Sequence, residues 1–253
     1  VANDFQRIIA KHGRDSVAFY LSGQLLTADY YVANKLMKGY IGTANIDTNS
    51  RLCMSSAVAG YKRAFGADIV PASYEDFDTA ELIILVGSNT AWCHPIVFQR
   101  IKAIKEQRPS LKVVVIDPRE TATNEIADLH LPIKAGTDVL LFNALLVDVV
   151  TKGLTDEEFV SKHTKGLAET LKSAQQDVGD GSTVAERLGV DAAVLETLKT
   201  WFANTPKTMT LFSMGVNQSS SGTDKVNAIV NCHLATGRIG KAGASPFSLT
   251  GQP

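Results

Sequence analysis

The sequence predicts an α/β fold in which parallel strands are covered by helices on both faces. Two stretches carry this expectation, "AELIILVGSN" (80–89) and "LKVVVIDPRE" (111–120). Their apolar runs are unbroken, where a strand with one wet face would alternate. The third observation is order: helix-spaced segments lie between the strand-like ones, the pattern of β-α-β units.

The elements follow in order. "SVAFYLSG" (16–23) is rich in β-branched and aromatic residues and ends in Gly, so it reads as a buried strand with its exit turn. "TADYYVANKLMKGYIG" has helical spacing, with Thr27 as N-cap and Gly42 as stop. "NIDTNSRL" reads as a polar loop, and "CMSSAVAGYKRAFG" as a helix closed by Gly66. After the 80–89 strand, Pro95 opens a helix and Pro109 follows its end. "ADLHLPIK" (127–134) is a short strand, and "TDVLLFNALLVDVVTKG" (137–153) is an apolar helix. Residues 154–205 read as helical, "TMTLFSMG" (208–215) as strand and "KVNAIVNCHLATGRIG" as helix. The tail "KAGASPFSLTGQP" reads as irregular.

Composition narrows the function classes. The chain has 253 residues, 45% apolar and 20% charged, with a net charge of −1. Nothing there suits a nucleic-acid partner. No apolar run approaches the roughly 18–20 residues needed to cross a bilayer. Three scattered cysteines form no CxxC motif and no disulfide framework, which fits a reducing compartment. The five histidines make no HxH or HExxH spacing and read as structural or surface residues. No GxSxG or GxGxxG occurs, against a serine hydrolase and against NAD bound through its usual fingerprint. Cys93 and Cys232 fall in helices and read as core or near-core.

In doubly wound sheets a ligand sits outside the carboxyl ends of the strands. Those ends read "SGQ" (22–24), "GSN" (87–89), "DPRET" (117–121), "KAGTD" (134–138) and "MGVNQ" (214–218). Gly87 permits close approach of a phosphate, and Ser88 and Asn89 add donors. Asp117 suits a sugar hydroxyl or a purine N–H, and Arg119 a purine face or a phosphate. Asp138 could accept both N–H groups of a guanine edge. Each end taken singly is more often a turn with a helix cap; it is their joint occurrence after successive buried strands that points to a ligand. Cys53, in "NSRLCMSS", stays open between a small buried residue, a thiolate nucleophile and a metal ligand.

The stretches "NIDTNSRLCMSSAVAGYKRAFGAD", "LVGSNTAWCHP", "IDPRET", "LPIKAGTD", "SMGVNQSSSGTDKVNAI" and "GRIGKAGASPFSLTGQP" together resemble the molybdopterin oxidoreductases of the dimethyl sulfoxide reductase class. Within that class they are most similar to bacterial assimilatory nitrate reductases. The resemblance implies two Rossmann-like parallel-sheet domains, the second inserted in the first: 1–50 with 205–253, around 51–204. It implies Cys53 as molybdenum ligand, and Gln24 and Asn49 beside the pterin. Val86, Gly87, Ser88 and Asn89 would hold phosphate, and Asp117, Arg119 and Thr121 one guanosine. Gly136, Thr137 and Asp138 would hold its base or ribose, while Met214, Gly215, Gln218 and Gln252 return to the pterin.

The implied cofactor is Mo-bis(molybdopterin guanine dinucleotide), with a [4Fe-4S] cluster in a preceding domain that carries a CxxCxxxC motif. The implied reaction is nitrate to nitrite in the cytoplasm, fed by ferredoxin, flavodoxin or an NADH-linked reductase subunit, without membrane or nucleic acid. The sequence is then expected to be the central piece of a longer enzyme, inactive alone and not obliged to hold cofactor by itself. Formate dehydrogenases of the same class are the rival. There His usually follows the ligand, whereas here Met54 does. A guanine-nucleotide-binding module without chemistry of its own is the other alternative.

Overall fold

The structure, a computed structural model, describes residues 1–249, the side chains of Ser50 and Arg51 apart. The chain divides into two units, 1–55 and 56–249, each described by itself.

In the first unit, Ala2–His12 form α1, Phe19–Leu21 form β1 and Thr27–Asn34 form α2. α2 continues into a wider π-helical stretch, Lys35–Ile41, which ends at Gly42 with φ 76°. That left-handed conformation suits Gly, as expected for a helix stop. The N-cap is Leu26 rather than Thr27, and the Asp29 carboxylate accepts the Leu26 N–H at 3.2 Å. Ile46–Thr48 form β2 and Ser50–Cys53 form α3. β1 and β2 pair in parallel, Phe19 opposite Ile46 and Leu21 opposite Thr48. "NIDTNSRL" is therefore part strand, because the β1 edge offers its backbone a ladder that the polar side chains do not advertise.

In the second unit, Ser55–Phe65 form α4 and Leu82–Val86 form β3. The short α5 (Thr90–Cys93) and α6 (Pro95–Gln107) lead to β4, Lys112–Ile116, and then β5, Leu129–Leu131. Next come α7 (Asp138–Thr151), α8 (Glu157–His163), α9 (Leu167–Val178), α10 (Val184–Leu188) and α11 (Ala192–Asn204). β6 (Thr208–Phe212), α12 (Met214–Asn217), α13 (Gly222–Ala235) and β7 (Ser245–Ser248) complete it. The sheet runs β5-β4-β3-β6-β7, with every pairing parallel.

Alternation builds two cores from one strand. Leu82, Ile84 and Val86 face a cluster with Leu141, Leu145 and Ile229, while Ile83 and Leu85 face Phe98 and Ile101. Each such fully buried side chain contributes about 1.5–3 kcal/mol. That double burial explains the unbroken apolar run in 80–89.

The expected division at 204/205 is corrected. β6 lies alongside β3 from Leu82–Thr208 to Val86–Phe212, so 205–249 completes the sheet of 56–204 instead of grouping with 1–50. The tail read as irregular holds β7. Its Pro246 is tolerated because β7 is an edge strand, where a missing N–H costs no ladder bond on the open side.

Candidate functional site

The strand order places a topological switch point between β3 and β6: the chain winds outward from β3 through β4 to β5, then returns to β6 on the other side. Such a point opens a crevice at the carboxyl edge. Here it is a cleft of about 460 Å³, within the usual range for small-molecule sites.

The floor is set by two glycines. The Gly215 N–H donates to the Gly87 carbonyl at 2.8 Å. A Cβ on Gly87 would lie 2.8 Å from the Gly215 Cα, so the two loops cross in backbone contact. Gly87 has φ 53° and Asn89 φ 37°. Asn tolerates this region better than most residues. The turn "GSN" thus bends sharply out of β3. The Ser88 and Thr90 hydroxyls bond each other at 2.7 Å, and the Asn89 Oδ1 accepts from Thr123 at 3.4 Å. These side chains brace the turn at the edge of the cleft.

Asp117 and Arg119 follow β4. The Asp117 carboxylate accepts the Arg119 backbone N–H at 3.0 Å, while the Arg119 side chain is exposed at the rim. Lys134 crosses the far wall, with its stem packed on Gly189 and its Nζ bonded to the Glu186 carbonyl at 3.0 Å. Gly136 and Asp138 complete that wall, and Met214 and Gly215 the near one.

The cleft therefore brings together Gly87, Ser88, Asn89, Asp117, Arg119, Gly136, Asp138, Met214 and Gly215. It does not take in four other expected residues. Val86 is fully buried in β3. Thr121 caps the short turn 122–126, accepting the Thr123 N–H. Thr137 donates to the Lys134 carbonyl at 2.7 Å and lines a neighbouring hollow with Asp177 and Arg187. Gln218 is exposed at the end of α12. Gln252 lies outside the described residues.

Sequence reasoning missed Lys225. It is 4% exposed in the first turn of α13, and its Nζ sits 2.7 Å from the Asp138 carboxylate inside the cleft. The only sequence signal was a lysine on the apolar face of "KVNAIVNCHLA". Cys93, expected near the core, is instead exposed and lines the cleft.

The first unit gathers its own three candidates. Gln24 and Asn49 follow the carboxyl ends of β1 and β2. The Asn49 Oδ1 accepts the Gly23 N–H, and its carbonyl accepts the Leu52 and Cys53 N–H groups at 2.9 and 3.0 Å. One side chain thus fastens the Gln24 loop to the segment that carries the half-buried Cys53. Among the described residues no cluster of His, Cys, Asp or Glu could hold a metal ion by itself. A metal here needs ligands beyond the side chains.

Comparison with known proteins fits this layout. A family model described as molybdopterin oxidoreductase matches residues 1–251. A nitrate reductase of Klebsiella oxytoca is 52% identical over 98% of this chain and 28% of its own length. A periplasmic nitrate reductase of Desulfovibrio desulfuricans is 38% identical over the whole chain and 34% of its own length. The chain thus spans about a third or less of these relatives. Among solved structures, acetylene hydratase from Pelobacter acetylenicus superposes with a TM-score of 0.68 at 23% identity, over 97% of this chain and 33% of that one, and so supports the fold. With the family model matched from the first residue to 251, the chain belongs to the molybdopterin oxidoreductase family.

Proposed function

We propose that the chain is the central part of a molybdenum-dependent nitrate reductase that holds a molybdopterin guanine dinucleotide. The observation that carries this reading is the 52% identity to a nitrate reductase over 98% of the chain. The residues present suit such a group. The Gly87–Gly215 crossing is a cradle that any Cβ would fill, and the cleft offers cations for phosphate and carboxylates for a base or sugar.

Within that reading, Gly87 and Gly215 give backbone access to phosphate. Arg119, at the rim, can bind phosphate bidentately or stack on a purine. Asp117 and Asp138 accept from guanosine. Cys53 supplies a soft thiolate, the ligand type suited to a metal already held by sulfur. Asn49 sets where that thiol stands relative to the Gln24 loop. When bound, the molybdenum centre supplies the two-electron transfer of an oxygen atom that turns nitrate into nitrite. The electrons come from an external donor, which we place among ferredoxins, flavodoxins and NADH-linked subunits.

No described helix is long and apolar enough to cross a membrane. The cytoplasmic setting is part of the proposal, and fractionation of the host cell decides it against the periplasm.

The test uses the full-length protein. Cys53→Ser is expected to abolish viologen-driven nitrate reduction while molybdenum and pterin contents stay near wild type. Near-normal turnover in that variant, or formate oxidation in place of nitrate reduction by the wild type, overturns the reading.

A further inference from the structure

Lys225 and Asp138 form a buried ion pair where burial alone gives little reason for one. Lys225 is 4% exposed and Asp138 8%. Their helices otherwise meet through apolar residues such as Leu141, Phe142 and Ile229. A buried pair recovers its desolvation cost only with good geometry, and apolar residues of similar size commonly stabilise as well. A pair kept at such a place therefore invites a role other than packing.

Its position supplies one. Both residues line the switch-point cleft. The Lys225 Nζ is 2.7 Å from the Asp138 Oδ2 and 3.5 Å from the Gly215 carbonyl. One ammonium therefore ties the first residue of α7 to the loop that crosses Gly87. An ammonium has three donors and no acceptor, so it can hold the carboxylate and the carbonyl together. An ionised carboxylate is acceptor-only, with about four lone-pair sites. With one site given to Lys225, others remain for a ligand that presents adjacent N–H groups.

We propose that Lys225 is a positioning residue that holds the Asp138 carboxylate in place and aimed for the guanine edge, and so makes the cleft selective for guanine. The proposal rests on the reading that the cleft takes a guanine nucleotide. The guanine edge offers N1–H and the 2-amino group side by side. Hypoxanthine keeps N1–H and lacks the amino group.

The experiment titrates GMP and IMP into the full-length protein prepared from cells that cannot make the cofactor. The wild type is expected to favour GMP by about tenfold or more, the size of one hydrogen bond to a charged acceptor. In Lys225→Met the preference should fall to within about twofold, and in Lys225→Arg it should return. Asp138→Asn should lose it with Lys225 intact. A merely structural pair would lower the melting temperature of Lys225→Met and leave the GMP-to-IMP ratio unchanged, and that result overturns the proposal. Should Lys225→Met fail to fold, Lys225→Gln is read in its place. Molybdenum in the wild-type enzyme from ordinary cells, together with no GMP preference, sinks this inference alone. Absence of molybdenum, of pterin and of nucleotide affinity sinks the cofactor reading beneath it.

Discussion

Gly215 and Gly87 meet backbone to backbone: the N–H of one donates to the carbonyl of the other at 2.8 Å, and a Cβ on Gly215 would stand 2.7 Å from the Gly87 Cα. The obstructing atoms are main chain, so no flexible side chain can move aside. Gly215→Ala is expected to cost about 1–3 kcal/mol by overpacking. It should also lower cofactor content in the full-length protein. Urea midpoints and guanine released per protein check both effects. Gly66→Ala serves as the control. Gly66 lies outside the cleft, has φ 77° and no atom within 4 Å of the added methyl, so backbone strain alone remains.

His233 predicts how stability responds to acid. It is fully buried, its Nε2 pairs with the Thr210 hydroxyl at 2.8 Å, and Phe202 meets it edge-on. Burial first, and the nearby Arg238 guanidinium second, push its pKa down to about 3. The unfolded imidazole binds a proton below about 6.5 while the folded one stays neutral, so protons favour the unfolded chain. This part of the stability is fully present above about 6.5 and drains away toward 3. Between pH 7 and pH 5 the loss should be roughly 2 kcal/mol. Urea unfolding at the two pH values measures it. His233→Gln should flatten the difference, and an unchanged difference in that variant would assign the acid response to other groups.

Thiol chemistry should separate two cysteines. Cys232 is fully buried, donates to the Phe142 carbonyl at 3.2 Å, and is pushed up by burial to about 12. Cys93 is exposed on the cleft. Iodoacetamide should label Cys93 within minutes and leave Cys232 unlabelled until the chain is denatured. GMP should slow the labelling of Cys93. Peptide mass spectrometry reads both outcomes, and nucleotide-independent labelling would argue against a ligand beside Asn89.

What the sequence disclosed followed burial. β3, β4 and α7 stood out because both their faces are covered, which forces unbroken apolar runs. β2 and β7 did not, because Asp47, Ser245 and Pro246 carry the marks of loops, and only the neighbouring strands make those segments extend. The boundary near 204 failed for a related reason. A strand pattern does not say which sheet it joins, and β6 pairs with a strand more than a hundred residues earlier. In the site, turns after strands were legible because Gly and Asp mark them. Lys225 was not, since its meaning comes from Asp138, which lies far away in sequence and 2.7 Å away in space.

The β3–β6 pairing also dictates a timetable. Leu82 waits for Thr208 and Val86 for Phe212, so the middle of the sheet closes only once residues 208–212 have been synthesised. Contacts this distant in sequence make folding slow. Until β6 arrives, β3 presents an apolar strand with an open hydrogen-bonding edge, the kind of surface that draws in other chains. A chain that carries β3 without β6 is therefore expected to aggregate more readily than the folded unit.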